Sequence, residues 1–135
     1  MHSDEITVVK SFIEAINAYD LKTLENLMTK DHTFIDATGR RTSGRDEMIL
    51  AWQKYFDMFP DYAVNIDSIL QDGPLVAIFG STSGTYKGKE GLKPENEVGG
   101  PAAWKALVEN GKVKLWQVYA DYTETWKVIE ANQTA

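Results

Sequence analysis

Two aspartates, Asp36 and Asp121, follow short apolar segments and are candidates for acid–base chemistry. A carboxylate in an apolar, aromatic-lined cavity has its pKa raised by desolvation, so it can hold or donate a proton near neutral pH. Two such groups facing each other can divide the acid and base roles. The alternative is structural: Asp36 caps its turn through the N–H groups of Thr38 and Gly39, and Asp121 pairs with an arginine of segment 40–45.

His32 is the other residue with chemical potential, and it lies four positions before Asp36. In a regular strand the two share a face about 13 Å apart, which excludes a direct hydrogen bond. We therefore expect His32 to enter the strand at the rim of the site, where it could orient a substrate. The two histidines lack metal-ligand spacing and there is no cysteine, so no metal site and no thiol chemistry is predicted.

The composition indicates one domain, residues 1–135, with ordinary globular character. The net charge of −6 repels polyanions, so no nucleic-acid partner is expected. The acidic start does not resemble a signal peptide, and no run approaches the roughly 18 apolar residues of a membrane helix. These features, together with the absence of cysteine, suit a cytoplasmic protein that does not contact a membrane. Phosphate-binding glycine motifs are missing as well, so no cofactor is predicted.

Helical periodicity is confined to the first half of the chain. The spacing predicts a first helix capped by Ser3 or Asp4, and a second capped by Asp20 and broken at Lys30. A third helix is expected to start at Ser43 and end before Pro60. Its stripe includes Trp52, Tyr55 and Phe56, which are core residues first and ligand walls at an open end.

The second half alternates with a period of two, which indicates strands. After a short strand from His32 to Ala37, a sheet begins at Tyr62. It continues through Leu75–Tyr86, Ala102–Glu109 and Val113–Tyr122, with a type I′ hairpin at Asn110-Gly111. Such meander connections predict mostly antiparallel pairing in an α+β domain. The polar stretch from Lys87 to Gly100 is interpreted as a mobile surface excursion or as a lid.

Three segments of the chain together resemble one known superfamily. Val8–Leu21, and Phe34-Ile35-Asp36-Ala37 followed by Gly39, Gly44 and the Trp52-Tyr55-Phe56 helix, resemble the nuclear transport factor 2-like (NTF2-like) superfamily. Gly111-Lys112-Val113 with Trp116, Tyr119 and Asp121 is similar to its SnoaL-like and limonene-epoxide-hydrolase-like branches. The resemblance implies a cystatin-like cone in which three N-terminal helices pack in a strongly bent sheet. It also implies an interior pocket and a homodimer through the outer sheet face.

The catalytic positions of the superfamily are only partly filled. The resemblance places Asp36 where ketosteroid isomerases keep their proton-shuttling carboxylate, but Phe12 and Ala103 stand at the two oxyanion-hole positions. Neither side chain can donate a hydrogen bond, which excludes isomerisation by that mechanism. Asp121 matches one epoxide-hydrolase aspartate, yet the segment Pro101–Lys105 lacks the Arg and Asp that the resemblance requires.

These observations predict a pocket for a small, largely apolar or aromatic molecule. We expect cofactor-free acid–base chemistry of cyclase, isomerase, dehydratase or hydrolase type, with Asp36 and Asp121 as the catalytic pair. The alternative is a non-catalytic ligand-binding or protein-association domain. Because Trp116 and Val118 point opposite to Leu115 and Tyr119, both faces of the last strand need covering, which favours the dimer. The predicted substrate-binding residues are His32, Phe34, Trp52, Tyr55, Phe56, Trp104 and Tyr119.

Overall fold

A single curled, unclosed sheet of six strands and four helices forms the fold of residues 4–133, the part of the chain that the computed structural model describes. The strand order is β2-β1-β6-β5-β4-β3, and every neighbouring pair is antiparallel except β1 and β6. The predicted α+β class is confirmed. The elements are α1 (Asp4–Asn17), α2 (Leu21–Asn26), β1 (Met28–Ile35), β2 (Arg41–Ser43), α3 (Arg45–Met58), β3 (Ala63–Asp72), β4 (Leu75–Gly88), β5 (Gly91–Glu109), β6 (Lys112–Ala120) and α4 (Thr123–Gln133).

The core lies between the helices and one face of β5 and β6. On β5 the even-numbered side chains from Ala102 to Val108 are buried, and the odd-numbered ones alternate with them on the outer face. Trp104 pairs with Val118 of β6, and Ala106 pairs with Trp116. Removing large aromatic side chains from water stabilises the fold by about 2–3 kcal/mol each. This burial fixes which side chains face inward.

One helix cap and one hairpin turn form as the sequence predicts. Asp20 caps α2, where its carboxylate accepts a hydrogen bond from the Thr23 N–H at 3.1 Å. Asn110 and Gly111 have φ angles of 53° and 76°, the left-handed pair that a type I′ turn requires. The carboxamide of Asn17 also pairs with both backbone groups of Val64, which ties the end of α1 to edge strand β3.

Several predicted boundaries are wrong. The second helix ends at Asn26 rather than Lys30, and β1 already begins at Met28 because it pairs there with Val113 of β6. Ser43 does not cap α3: it belongs to β2, and the N-cap of α3 is Gly44. Asp4 is the first residue of α1, whereas Ser3, the other predicted cap, lies outside the described residues.

The stretch from Lys87 to Gly100 is neither an excursion nor a lid. It forms the far end of a long β4–β5 hairpin, paired from Thr82 with Gly100 as far as Gly88 with Gly91. Only Lys89 and Glu90 lie in the turn. The polar composition reflects strands that extend beyond the apolar core, where the buried side chains, Thr85 and Asn96, are themselves polar.

The last strand is shorter than predicted and a fourth helix follows it. Strand β6 ends at Ala120, and α4 buries Thr125 and Ile129 while Trp126 remains exposed. This helix contacts the far parts of β4 and β5. None of the helices in residues 4–133 is long and apolar enough to cross a membrane.

Candidate functional site

His32 lies at the centre of the core and not at its rim, so the predicted rim position is wrong. The side chain is fully buried beside the ring of Phe12. Its Nδ1 atom lies 2.7 Å from the carbonyl oxygen of Val113. Burial lowers the pKa of His32 below its ordinary value, although the Val113 hydrogen bond and the charge of Asp31 oppose that shift. The imidazole is therefore neutral at pH 7.

The ring of Phe12 links His32 to an aromatic cluster on the inner face of the sheet. The ring of Phe12 lies 6.0 Å from His32 and 4.9 Å from Trp116, measured between centroids. Trp104 stacks on Trp116 at 6.2 Å. Six predicted ligand-wall residues therefore lie in the core or pack against it: His32, Phe34, Trp52, Tyr55, Phe56 and Trp104.

Trp52 supplies a second polar atom within these apolar surroundings. Its ring packs on Phe56 at 5.4 Å and on Phe34 at 6.5 Å. Within the described part of the chain, neither the Trp52 Nε1–H nor His32 Nε2 has a hydrogen-bond partner. The Arg45 Nε atom is also unbonded and lies 3.8 Å from Asp46. The interior thus contains a buried donor and a buried acceptor next to aromatic walls.

Asp36 terminates β1 and organises the following turn. One carboxylate oxygen accepts hydrogen bonds from the Thr38 N–H at 2.9 Å, the Thr38 hydroxyl at 2.6 Å and the Arg40 N–H at 3.1 Å. Partial burial alone raises the pKa of Asp36, but these hydrogen bonds together outweigh it and hold the pKa below its ordinary value. Asp36 is therefore ionised at neutral pH, and the expected raised proton affinity is wrong.

A tyrosine cluster lies near Asp36. The phenol groups of Tyr55 on α3 and of Tyr122, which joins β6 to α4, interact with each other. The Tyr62 ring meets Tyr55 edge-on at 5.1 Å. Burial raises the pKa of all three phenols, and the charge of Asp36 raises that of Tyr122 further. The cluster consists of protonated phenols beside an ionised carboxylate.

Asp121 and Tyr119 lie outside the interior, so their predicted pocket-facing positions are wrong. Asp121 is exposed beyond the end of β6 and accepts a hydrogen bond from the Thr123 N–H at 3.0 Å. The hydrogen bonds from Thr123 hold the pKa of Asp121 below its ordinary value. Tyr119 is 41% exposed on the outer face, opposite Ala103. The cause is the alternation of β6, which turns Trp116 and Val118 inward instead.

A cavity of about 190 Å³ lies at the tip of the β4–β5 hairpin, next to Gly88, Lys93, Asn96 and Asn132. This position is outside the aromatic interior. The described residues contain no group of three or more side chains suited to hold a metal ion.

Sequence reasoning missed Tyr62, Tyr122 and the partner of His32. Tyr122 was assigned to the last strand, so its approach to α3 was not anticipated. Val113 contributes only its backbone carbonyl, which leaves no trace in the residue type. Phe12 is buried in the core, whereas Ala103 pairs with Tyr119 on the outer face, so its predicted oxyanion-hole position is wrong.

Comparison with known proteins identifies the family. Residues 9–116 match the SnoaL-like domain family. A candidate polyketide cyclase from Xanthomonas campestris superposes with a TM-score of 0.81 at 17% identity, covering 93% of this chain and 96% of that one. An LEH-like epoxide hydrolase from M. tuberculosis gives 0.78 at 18% identity, with 98% and 93% covered. A protein of ketosteroid isomerase-like fold from Catenulispora acidiphila, in complex with trimethylamine, gives 0.76 at 21% identity, with 87% and 88% covered. No curated protein matches the chain.

Proposed function

Because the chain belongs to the SnoaL-like domain family, we propose that its interior binds a small, largely apolar molecule between α1, α3 and the inner sheet face. The observation that carries this proposal is the pair of unpartnered buried polar atoms, His32 Nε2 and Trp52 Nε1, among aromatic side chains. Ligand pockets combine apolar walls with a few such polar groups. An unpaired buried polar group costs stability, so a ligand that satisfies it gains affinity.

Toluene is a suitable first probe because it tests the apolar walls alone. We expect saturable binding of toluene that a larger inner-face side chain blocks. Ala102→Leu adds volume on the inner face, where Ala102 is 9% exposed, and should weaken binding at least tenfold. Ala103→Leu makes the same change on the outer face and should leave binding unchanged. Binding that survives Ala102→Leu, or no binding of any apolar probe, would contradict the proposal.

Proton transfer at the tyrosine cluster is a second candidate function. It is supported by the charge of ionised Asp36, which acts on Tyr122, and by the interaction of the Tyr122 phenol with that of Tyr55. Asp36 suits a base and the phenols suit hydrogen-bond donors to a developing oxyanion. In this arrangement Asp121, exposed and ionised, takes no part. Loss of turnover in Asp36→Asn with unchanged ligand affinity would support the catalytic role, and equal turnover would contradict it.

A further inference from the structure

His32 carries an acceptor atom whose orientation is set by the backbone and whose partner is missing from the described residues. We propose that His32 makes the interior selective for ligands that bear a hydroxyl or N–H group on an apolar scaffold, by accepting a hydrogen bond at Nε2. This inference rests on the proposed function and names the chemical class of its ligand. His32 thereby recognises the ligand. Asp36 and Asp121 cannot do so, because their carboxylates accept hydrogen bonds within their own turns.

The hydrogen bond to Val113 determines which nitrogen is the acceptor. A backbone carbonyl oxygen only accepts, so the Nδ1 atom, 2.7 Å away, must carry the proton and donate it. In a neutral imidazole the other nitrogen then has a lone pair and no hydrogen. Nε2 of His32 is therefore an acceptor, and a ligand group facing it has to be a donor.

Burial keeps the Nε2 acceptor of His32 neutral and makes it costly to leave that atom without a hydrogen bond. The side chain is fully buried, and the Phe12 ring packs against it. The lowered pKa of His32 disfavours the imidazolium form, so the ligand shares its proton in a hydrogen bond and does not transfer it. A purely apolar ligand would leave Nε2 unpaired, whereas a hydroxyl pairs it and adds a hydrogen bond in apolar surroundings.

Phenol and toluene separate this inference from the function on which it rests, because they differ only by a hydroxyl in place of a methyl group. Anisole retains the oxygen but has no donor. In His32→Phe, phenol affinity should fall roughly tenfold relative to the wild type, while toluene and anisole change less than about twofold. Thr33→Val, at the neighbouring position of β1, should change none of the three affinities.

The imidazole ¹⁵N resonances of the wild-type protein provide a readout that does not depend on a variant folding. We expect the His32 Nε2 resonance of a lone-pair nitrogen, shifting towards the protonated range on saturation with phenol and staying in place with toluene. Phenol binding without that shift would overturn the inference, as would equal weakening of phenol and toluene by His32→Phe. If none of the three compounds binds the wild type, the proposed function itself fails.

Discussion

The phenol of Tyr122 interacts with that of Tyr55, and this interaction joins the β6–α4 junction to helix α3. Both hydroxyls are shielded from water, and this burial is the main cause of their raised pKa values. Asp36 acts on the same cluster through its charge. The segment that follows β6 therefore contributes a side chain to the tyrosine cluster between α3 and the end of β1.

Replacing Tyr122 by Phe removes one hydroxyl of this interaction and retains the ring. We expect the free energy of unfolding to fall by about 1 kcal/mol, because the Tyr55 hydroxyl then loses its interaction with a polar group. Tyr55→Phe should cost a similar amount, and the double variant less than the sum of both. Urea unfolding of the four proteins measures the coupling. Strict additivity would show that the two hydroxyls do not interact.

The turn after β1 should depend on the shape of Asp36 more than on its charge. Asp36→Ala removes the acceptor of three hydrogen bonds, two from Thr38 and one from Arg40, and should destabilise the protein by about 1–2 kcal/mol. Asp36→Asn keeps an acceptor oxygen and should restore most of that loss. Thermal unfolding of both variants measures the effect. If Asp36→Asn were as unstable as Asp36→Ala, the carboxylate charge would be what stabilises the turn.

Stability should fall at mildly acidic pH because of His32. Its pKa is lowered in the folded state, whereas in the unfolded chain the imidazole protonates near pH 6.5. The unfolded state therefore binds more protons between the folded pKa and pH 6.5. The contribution is complete above pH 6.5 and is lost as the pH falls towards the folded pKa, by up to about 1.4 kcal/mol per pH unit.

Urea unfolding at pH 7.5 and pH 5.5 measures this contribution. The wild type should lose stability between the two values, and His32→Phe should lose clearly less. The depressed carboxyl pKa of Asp36 contributes in a separate window, because its stabilisation is present above about pH 4 and is lost below it. An equal loss in the wild type and His32→Phe would show that His32 is not the titrating group.

The outer sheet face predicts a homodimer. Phe79, Ala103 and Tyr119 form a row across β4, β5 and β6, in which Phe79 is 47% and Tyr119 is 41% exposed. Aromatic side chains of this kind are enriched in protein interfaces. Light scattering at micromolar concentration should give the mass of two chains, and Phe79→Glu should give one. Leu50→Glu, at a 63% exposed site on α3, should leave the dimer intact, whereas a wild-type mass of one chain would contradict the prediction.

The sequence predicts the fold because its signals are local. Asp20 caps α2 through a residue three positions away, and Asn110-Gly111 forms its turn by backbone preference alone. The hairpin beyond Tyr86 was not predicted, since the segment from Lys87 to Gly100 has only two large apolar residues, Leu92 and Val98. Backbone pairing with a distant segment, and not side-chain pattern, decides such a region.

The site was harder to predict because strand register and backbone partners determine it. The face of β6 that carries Trp116 could be inner or outer from alternation alone, and the choice of Tyr119 and Asp121 was wrong. His32 is fully buried, and its partner is a backbone carbonyl that no residue type reveals. A shift of one residue reverses the face of every side chain in a strand, so these positions depend on long-range pairing.

The indole ¹⁵N–¹H resonances test the central claim, that the interior binds a small apolar molecule. The chain has four tryptophans: Trp52, Trp104 and Trp116 are buried in the core, and Trp126 is 52% exposed on α4. On titration with toluene, we expect saturable shifts of the Trp52 resonance together with Trp104 or Trp116, while Trp126 stays in place. Shifts confined to Trp126, or no saturable shift of the three buried indoles, would contradict the account.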